Sequence, residues 1–418
     1  MFSKWQWFLR QLTRTLWVRA VFFSFLAVAS ALLSIVLDPF IPEGLGGAIG
    51  ADAVDHILDI LAGSMLAVTT FSLTVMVSAY SAATASVTPR ATRLLMQDTT
   101  SQNVLSTFLG AFLFSLVGIV ALSTGVYGPR GRVVLFVVSL VVIAVVVMTL
   151  LRWISHLTYF GRVGDTTERV ETVTANALEF WSRNPSMGAR VLDHPETQIP
   201  KGAVAIYPDC VAYVEHLDVA QLSDCADELN CQIYVEAVAG SFVHPKTPLV
   251  WVAGDVSDAF RQAVSQSYSL APERSFDQDP RFGLCVLAEI ASRALSPAMN
   301  DPGTAIDVLG RGVRVLANYA AQCADSPEVC YPKVWVPNLK HQDLFDDFFT
   351  PIARDGAGLI EVQVRLQKVL HALTSNGPES VFAVARDHAQ LALERGQQAL
   401  PLPREKQALQ QLHESLFG

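Results

Sequence analysis

The chain has 418 residues, 51% of them hydrophobic and 17% charged, with a mean hydropathy of +0.34. Soluble domains carry about 25% charged residues, so the composition places part of this chain in lipid. A net charge of −9 excludes a nucleic-acid binder that relies on bulk positive charge, and no nucleic-acid partner is expected.

Four stretches have the roughly 20 mostly apolar residues that a membrane helix needs: about 20–37, 57–79, 104–122 and 133–151. The first is too long, and lacks a small-residue cleavage site, for a signal peptide, so it reads as a retained helix. Charge sets the orientation. Lys4, Arg10, Arg14 and Arg19 precede the first span with no acid among them, whereas the first loop holds Asp38, Glu43, Asp52 and Asp55 with no Lys or Arg. Arg90 and Arg93 follow the second span, and Arg152, Arg162 and Arg169 follow the fourth. Both termini are expected on the cytoplasmic side, with Arg130 and Arg132 as the dissenting pair.

The second span is rich in hydroxyls: "TTFSLTVMVSAYSAATASVTPR", Thr69 to Arg90. At about 100° per residue, Thr70, Thr74, Ser78 and Ser81 share one stripe, extended outward by Ala67 and Gly63. Such a stripe serves either helix–helix packing, with hydroxyls bonded to their own helix, or a water-facing, pore-lining surface. The other spans have no comparable stripe. Pro89 stops or kinks the helix. Arg90 and Arg93 read as interface anchors at headgroup level. In the third span, Ser106 and Gly110 have the spacing that lets helices approach closely. The fourth is almost all Val, Leu and Ile, which suits a lipid-facing position.

Residues 152–197 read as a stalk or linker helix, interrupted at Gly161 and Gly164. From about 198 to 254 the pattern turns to strands around a short helix, "VAQLSDCADELN". "VAGSFVHPKTPLVWV" suggests half of a barrel sandwich, without a carrier lysine at a turn tip. Residues 255–418 are expected to be helical. Within them "SPAMNDPGTA" is a helix–loop–helix corner: Ser296-Pro297 ends one helix, and Asp301 caps the next with Pro302 at its first position. Ser296, Asn300 and Asp301 are candidate contacts for a ligand or small ion. Asp343, Asp346 and Asp347 have a cation-binding reading beside a plainer one, a solvated helix start with Phe345, Phe348 and Phe349 packing inward. The tail from Pro378 reads as a surface or assembly helix pair.

Two blocks resemble a known family: "FSLTVMVSAYSAATASVTPRATRLLMQDTTSQNVLSTFLGAFLFSLVGIVAL" (Phe71–Leu122) and "DQDPRFGLCVLAEIASRALSPAMNDPGTA" (Asp277–Ala305). They are similar to predicted bacterial inner-membrane proteins of the domain-of-unknown-function 2254 family, from the first span to about Leu373. The resemblance implies a bacterial inner-membrane location and supplies no activity.

The expected fold is therefore a four-span membrane domain (1–151) joined to a cytosolic α+β domain. That domain has a small barrel-sandwich-like β module and a helical C-terminal region. No P-loop, GxSxG, HExxH or dinucleotide-binding glycine motif occurs, and the six cysteines form no CxxC pair. No enzyme activity, cofactor or metal is expected. The middles of the spans hold no acid or histidine, which argues against coupled transport. The reading is an oligomeric, channel-like protein for passive conduction of an ion or small solute, its partners being the bilayer and copies of itself. The alternative is a membrane-anchored sensor or scaffold whose cytosolic domain binds a ligand or partner protein.

Overall fold

The computed structural model describes residues 51–124, 131–323, 328–375 and 377–418, with three isolated helical positions at Val21, Phe25 and Ala29. The expected span at 20–37 otherwise lies outside the described residues. The described chain divides into two compact units: 51–85 with 92–165, and 86–91 with 166–418.

The first unit is helical: α1 (Ala51–Ser86), α2 (Pro89–Met96), α3 (Thr99–Ser123) and α4 (Gly131–Leu157). Among the described residues three helices are long and apolar enough to cross a bilayer, with hydropathies of 1.9, 2.3 and 3.3 over Ala53–Ser86, Thr99–Ser123 and Arg132–Leu157. The three expected spans they contain, 57–79, 104–122 and 133–151, fall inside them. At 1.5 Å per residue α1 runs roughly 54 Å, well past a hydrocarbon core of about 30 Å. The most apolar window of α3 is 50% buried in the chain, against 28% for α1 and 22% for α4. So α3 is the central helix and α4 presents Val137, Val141, Val145, Met148 and Leu151 outward.

Small residues let α3 take that place. Ser106 and Gly110 are buried, and a Cβ at Gly118 would stand 2.9 Å from Leu58 Cδ1. Val54, Leu58, Phe114 and Leu135 pack as one cluster around that contact. After α4 the helix breaks at Gly161, which takes φ +79° with Ala79 beside it. Gly164, the other expected interruption, lies inside the next helix.

That helix, α5 (Val163–Arg183), is no free stalk. From Thr166 onward it belongs to the second unit. Val170, Ala177, Leu178 and Trp181 are buried, and Trp181 Nε1 donates to the Gln278 carbonyl at 3.1 Å. Glu171 accepts from Arg311 at 2.8 Å and from Arg314 at 3.0 Å.

Two sheets follow. Strands β1 (Ala189–Val191), β2 (Val204–Ile206), β4 (Gln232–Val235), β6 (Val250–Ala253) and β8 (Tyr331–Val336) form a mixed sheet in the order β1-β8-β4-β6-β2. Strands β3 (Ala212–Leu217), β5 (Phe242–Val243) and β7 (Tyr268–Ala271) form an antiparallel sheet in the order β5-β3-β7. The short helix α6 (Pro195–Gln198) precedes β2. Ile233, Val235, Val250, Val252, Val334 and Val336 alternate inward and meet Leu222, Cys225 and Ala226 of α7 (Val219–Glu228) and Val264 of α8 (Asp258–Gln266). This is a layered α/β module rather than a barrel sandwich. It also reaches beyond 198–254, because β1, β7 and β8 lie outside those bounds.

The rest is a helical bundle: α9 (Pro280–Ala294), α10 (Pro302–Gln322), α11 (His341–Asp355), α12 (Ile360–Ala372), α13 (Glu379–Ala399) and α14 (Pro403–Phe417). Phe345, Phe348 and Phe349 are buried at its centre, as expected. Of the expected surface or assembly pair, α13 is integral to the bundle, with Val381, Ala385, Ala389, Ala392 and Leu393 buried and packing on α11 and α12, whereas α14 lies at the surface and buries Leu409.

Candidate functional site

Helix α1 has two faces. Val54, Leu58, Leu61, Met65, Ser72, Met76 and Ala83 are buried within the chain. Gly63, Ala67, Thr70, Thr74, Ser78 and Ser81 are all exposed, gathered on the face this chain leaves uncovered. Ile60, Phe71, Leu73 and Val77 flank them, also exposed. The Thr70 hydroxyl donates to the Ala67 carbonyl at 2.9 Å, and Thr74 to the Thr70 carbonyl at 3.0 Å. Among the described residues none covers the stripe. The inward hydroxyl is Ser72, fully buried with no hydrogen-bond partner for its Oγ. Helical spacing puts Ser72 off the stripe, so the stripe pattern misses it.

At the other end of this unit Asp98 is buried. It caps α3, accepting from the Ser101 amide at 2.7 Å and the Ser101 hydroxyl at 2.6 Å. His156 Nε2 lies 3.0 Å from the same carboxylate. The contact does not have hydrogen-bond geometry. Trp153 stacks on the imidazole at 5.8 Å and Phe160 approaches it to 5.1 Å. Nothing in the sequence brings together residues so far apart on different helices.

Residues 86–91 belong to the second unit. Helix α1 stops at Ser86, and α2 restarts at Pro89, with Thr88 Oγ1 accepting from the Ala91 amide at 3.2 Å. Val87, Thr88 and Ala91 are buried. The Arg90 guanidinium is ion-paired with Glu289 on α9, so its reading as a lipid anchor is incomplete. Arg93 lies in the last turn of α2, half-buried.

The corner between α9 and α10 brings Ser296, Asn300 and Asp301 into one exposed turn. The Asp301 amide donates to the Ala294 carbonyl at 2.8 Å, and Asn300 takes a left-handed φ of 48° to allow it. The Ser296 hydroxyl donates to the Arg293 carbonyl at 2.7 Å. Asp301 accepts from the Thr304 amide at 3.0 Å and its hydroxyl at 2.6 Å. These bonds from Thr304 hold the Asp301 carboxyl below the usual carboxylate range. The polar contacts of Ser296 and Asp301 are thus spent on the corner's own backbone and cap. Replacing Asp301 with Ala is expected to cost about 1 kcal/mol, as for other helix N-caps. Asp301→Asn should retain most of that, and denaturant midpoints of the three proteins check it.

A charge cluster around the buried Asp279, its pairings unforeseen in the sequence, sits at the start of α9. Asp279 caps that helix through the Phe282 amide at 3.0 Å and accepts from Arg274 at 2.7 and 3.0 Å. Next to it, Arg281 donates to Asp347 and Asp343, both at 2.7 Å. Asp346 lies 3.3 Å from His388 instead. The three carboxylates with a cation-binding reading are accordingly directed to an arginine and a histidine. Burial pushes the Cys285 thiol up to about 11, which makes it a poor nucleophile. Among the described residues no group of three or more His, Cys, Asp or Glu is arranged to hold a metal.

Three helices fit to span a bilayer, joined to an α/β module and a helical bundle, define an integral membrane protein with a large extramembrane part. The family profile of predicted membrane proteins named DUF2254 matches residues 13–372, and the chain belongs to this family. Among its relatives are uncharacterized proteins of Mycobacterium bovis and Mycobacterium tuberculosis, each 26% identical over 249 residues. That match covers 57% of this chain and 47% of each relative, so the chain spans about half the length of the curated relatives it matches. No solved structure matches it.

Proposed function

We propose that the protein is an oligomeric, channel-like component of the bacterial inner membrane, with both termini cytoplasmic. Several copies place the uncovered face of α1 around a common axis. The observation that carries this is the exposure of Gly63, Ala67, Thr70, Thr74, Ser78 and Ser81 on one face, opposite the face that packs in the chain. One chain has too few spans to enclose a pore, and closed symmetry supplies the rest. Small residues four apart let helices of neighbouring copies approach, and hydroxyls at the margin of that contact face water. The wall is neutral, so conduction is passive and the permeant is an ion or small solute. The extramembrane unit regulates, and its exposed 296–304 corner is where a cytosolic ligand would act.

The anchored sensor or scaffold is the second reading, favoured by one observation. The threonine hydroxyls are satisfied by their own helix, so lipid would cover them without an unmet donor.

Purified protein in planar bilayers separates the two. A conducting oligomer is expected, and Thr74→Leu, which adds bulk to the wall, should lower unitary conductance severalfold while leaving subunit number unchanged. A monomer in detergent and in nanodiscs, with no conductance for common cations or anions, would leave the anchor.

A further inference from the structure

We infer that Arg90 and Glu289 form a reversible electrostatic latch by which the extramembrane unit controls the end of α1. The inference rests on the channel reading for its consequence, since it names the regulation of that helix.

Four observations support it. First, α1 is continuous from Ala51 to Ser86, so displacement at its end carries along the exposed stripe, whose last member is Ser81. Second, the chain leaves α1 through a non-helical step at Val87 and Thr88 and restarts at Pro89. A proline lacks the amide that would continue the α1 ladder, so this step is the point of bending. Third, the step is held in the second unit: Val87 and Ala91 are fully buried, and Thr88 nearly so. Fourth, beside these apolar anchors Arg90 is ion-paired with Glu289, 199 residues away in sequence.

Glu289 is well placed to transmit. It lies on α9, whose opposite side is sealed by the buried Leu284 and Leu287, with Ala288 and Ile290 buried on its flanks. Gly283 of α9 sits so close to Thr174 of α5 that a Cβ would meet Thr174 Oγ1 at 2.1 Å. Helix α9 therefore moves as part of the unit's core. It ends at Ala294 with Leu295 as its C-cap, where the exposed corner of Ser296 to Thr304 begins. A shift of α9 provoked at that corner reaches Arg90 through one rigid helix.

The side chains of Arg90 and Glu289 are 58% and 33% exposed. An exposed pair of this kind shifts an equilibrium by a factor of about five at most. It is weak enough to open and close, and salt screens it.

Hydrogen–deuterium exchange of the full-length protein in nanodiscs tests the latch without any conductance. In Glu289→Arg, and separately in Arg90→Glu, exchange over residues 80–91 should rise about two- to five-fold. The neutral variant Glu289→Gln should fall between these and the wild type. Exchange over 280–294 and the thermal midpoint should stay near wild type, since a purely structural role would move both. The reversed pair R90E/E289R should bring exchange over 80–91 back toward wild type, and 0.5 M salt should raise it in the wild type and the reversed pair but not in the single reversals. The latch is overturned if the single reversals leave 80–91 unchanged, or if the reversed pair exchanges as fast as either single. If the exchange pattern holds while no variant conducts, the latch stands and the channel reading falls.

Discussion

Arg274→Met is expected to lower the stability of the extramembrane unit by about 3–5 kcal/mol, the range for removing one partner of a buried ion pair. Asp279 is 3% exposed and receives both forks of Arg274, at 2.7 and 3.0 Å. Gly240, at φ +88°, closes over the same carboxylate so tightly that a Cβ would stand 2.2 Å from Oδ2, leaving no room for the acid to turn away. Burial pushes the Asp279 carboxyl up, and the guanidinium pulls it back down. Without Arg274 the burial effect dominates. A carboxyl whose folded value lies above its unfolded value contributes stability that is present at low pH and is lost as pH rises through the folded value. The deficit of Arg274→Met relative to wild type should therefore be largest at neutral pH and shrink on acidification. Arg274→Lys keeps the charge but not the fork and should fall between. Denaturant titrations of the three proteins at neutral and mildly acidic pH check this. A deficit below about 1 kcal/mol, or one that grows on acidification, would show that the pair does not hold this corner.

The parts legible in the sequence were those with local causes. A continuous apolar run identifies a membrane helix without reference to anything distant, and α1, α3 and α4 contain the spans expected at 57–79, 104–122 and 133–151. The corner at 296–304 was legible because its stop, cap and start are encoded by adjacent residues, Pro297, Asp301 and Pro302. The sheets were not. Strand β8 is six residues long, and its partners β1 and β4 lie on the far side of the whole α9–α10 hairpin. The barrel-sandwich expectation rested on "VAGSFVHPKTPLVWV", the stretch that holds Phe242–Val243 and Val250–Ala253. They pair in different sheets, β5 with β3 and β6 with β2 and β4. Prolines 245 and 248 lie in the connection, where a missing amide disfavours strand pairing. The charge pairs Arg90–Glu289, His156–Asp98 and Glu171–Arg311 were invisible for a related reason. Each residue reads alone as a surface charge, and only the fold supplies its partner. The stripe on α1 was legible as a pattern, but its direction was not. Periodicity says which residues share a face, and the packing of α1 against the other described helices decides that they bury the opposite face.

Gly312→Ala is expected to cost about 1–3 kcal/mol, against the gain of roughly 1 kcal/mol that alanine normally brings to a helix interior. The steric conflict decides the sign. A Cβ at Gly312 of α10 would lie 2.0 Å from Phe348 Cζ and 2.4 Å from its Cε1. Phe348 cannot swing aside, because it is fully buried and its ring meets Phe349 edge-on at 4.8 Å. Phe348→Leu alone should also destabilise, through the cavity it leaves. Combined, the new methyl group occupies part of the vacated volume, so the double variant should be more stable than the sum of the two losses implies, with a coupling of about 0.5–3 kcal/mol. Denaturant titrations of all four proteins measure that coupling, and additivity within about 0.5 kcal/mol would sink the packing argument. A second readout locates the strain. Arg311 and Arg314 flank Gly312 and hold Glu171 of α5. Pushing α10 away from α11 should loosen that grip, so amide exchange over 167–178 rises in Gly312→Ala and returns toward wild type in the double variant.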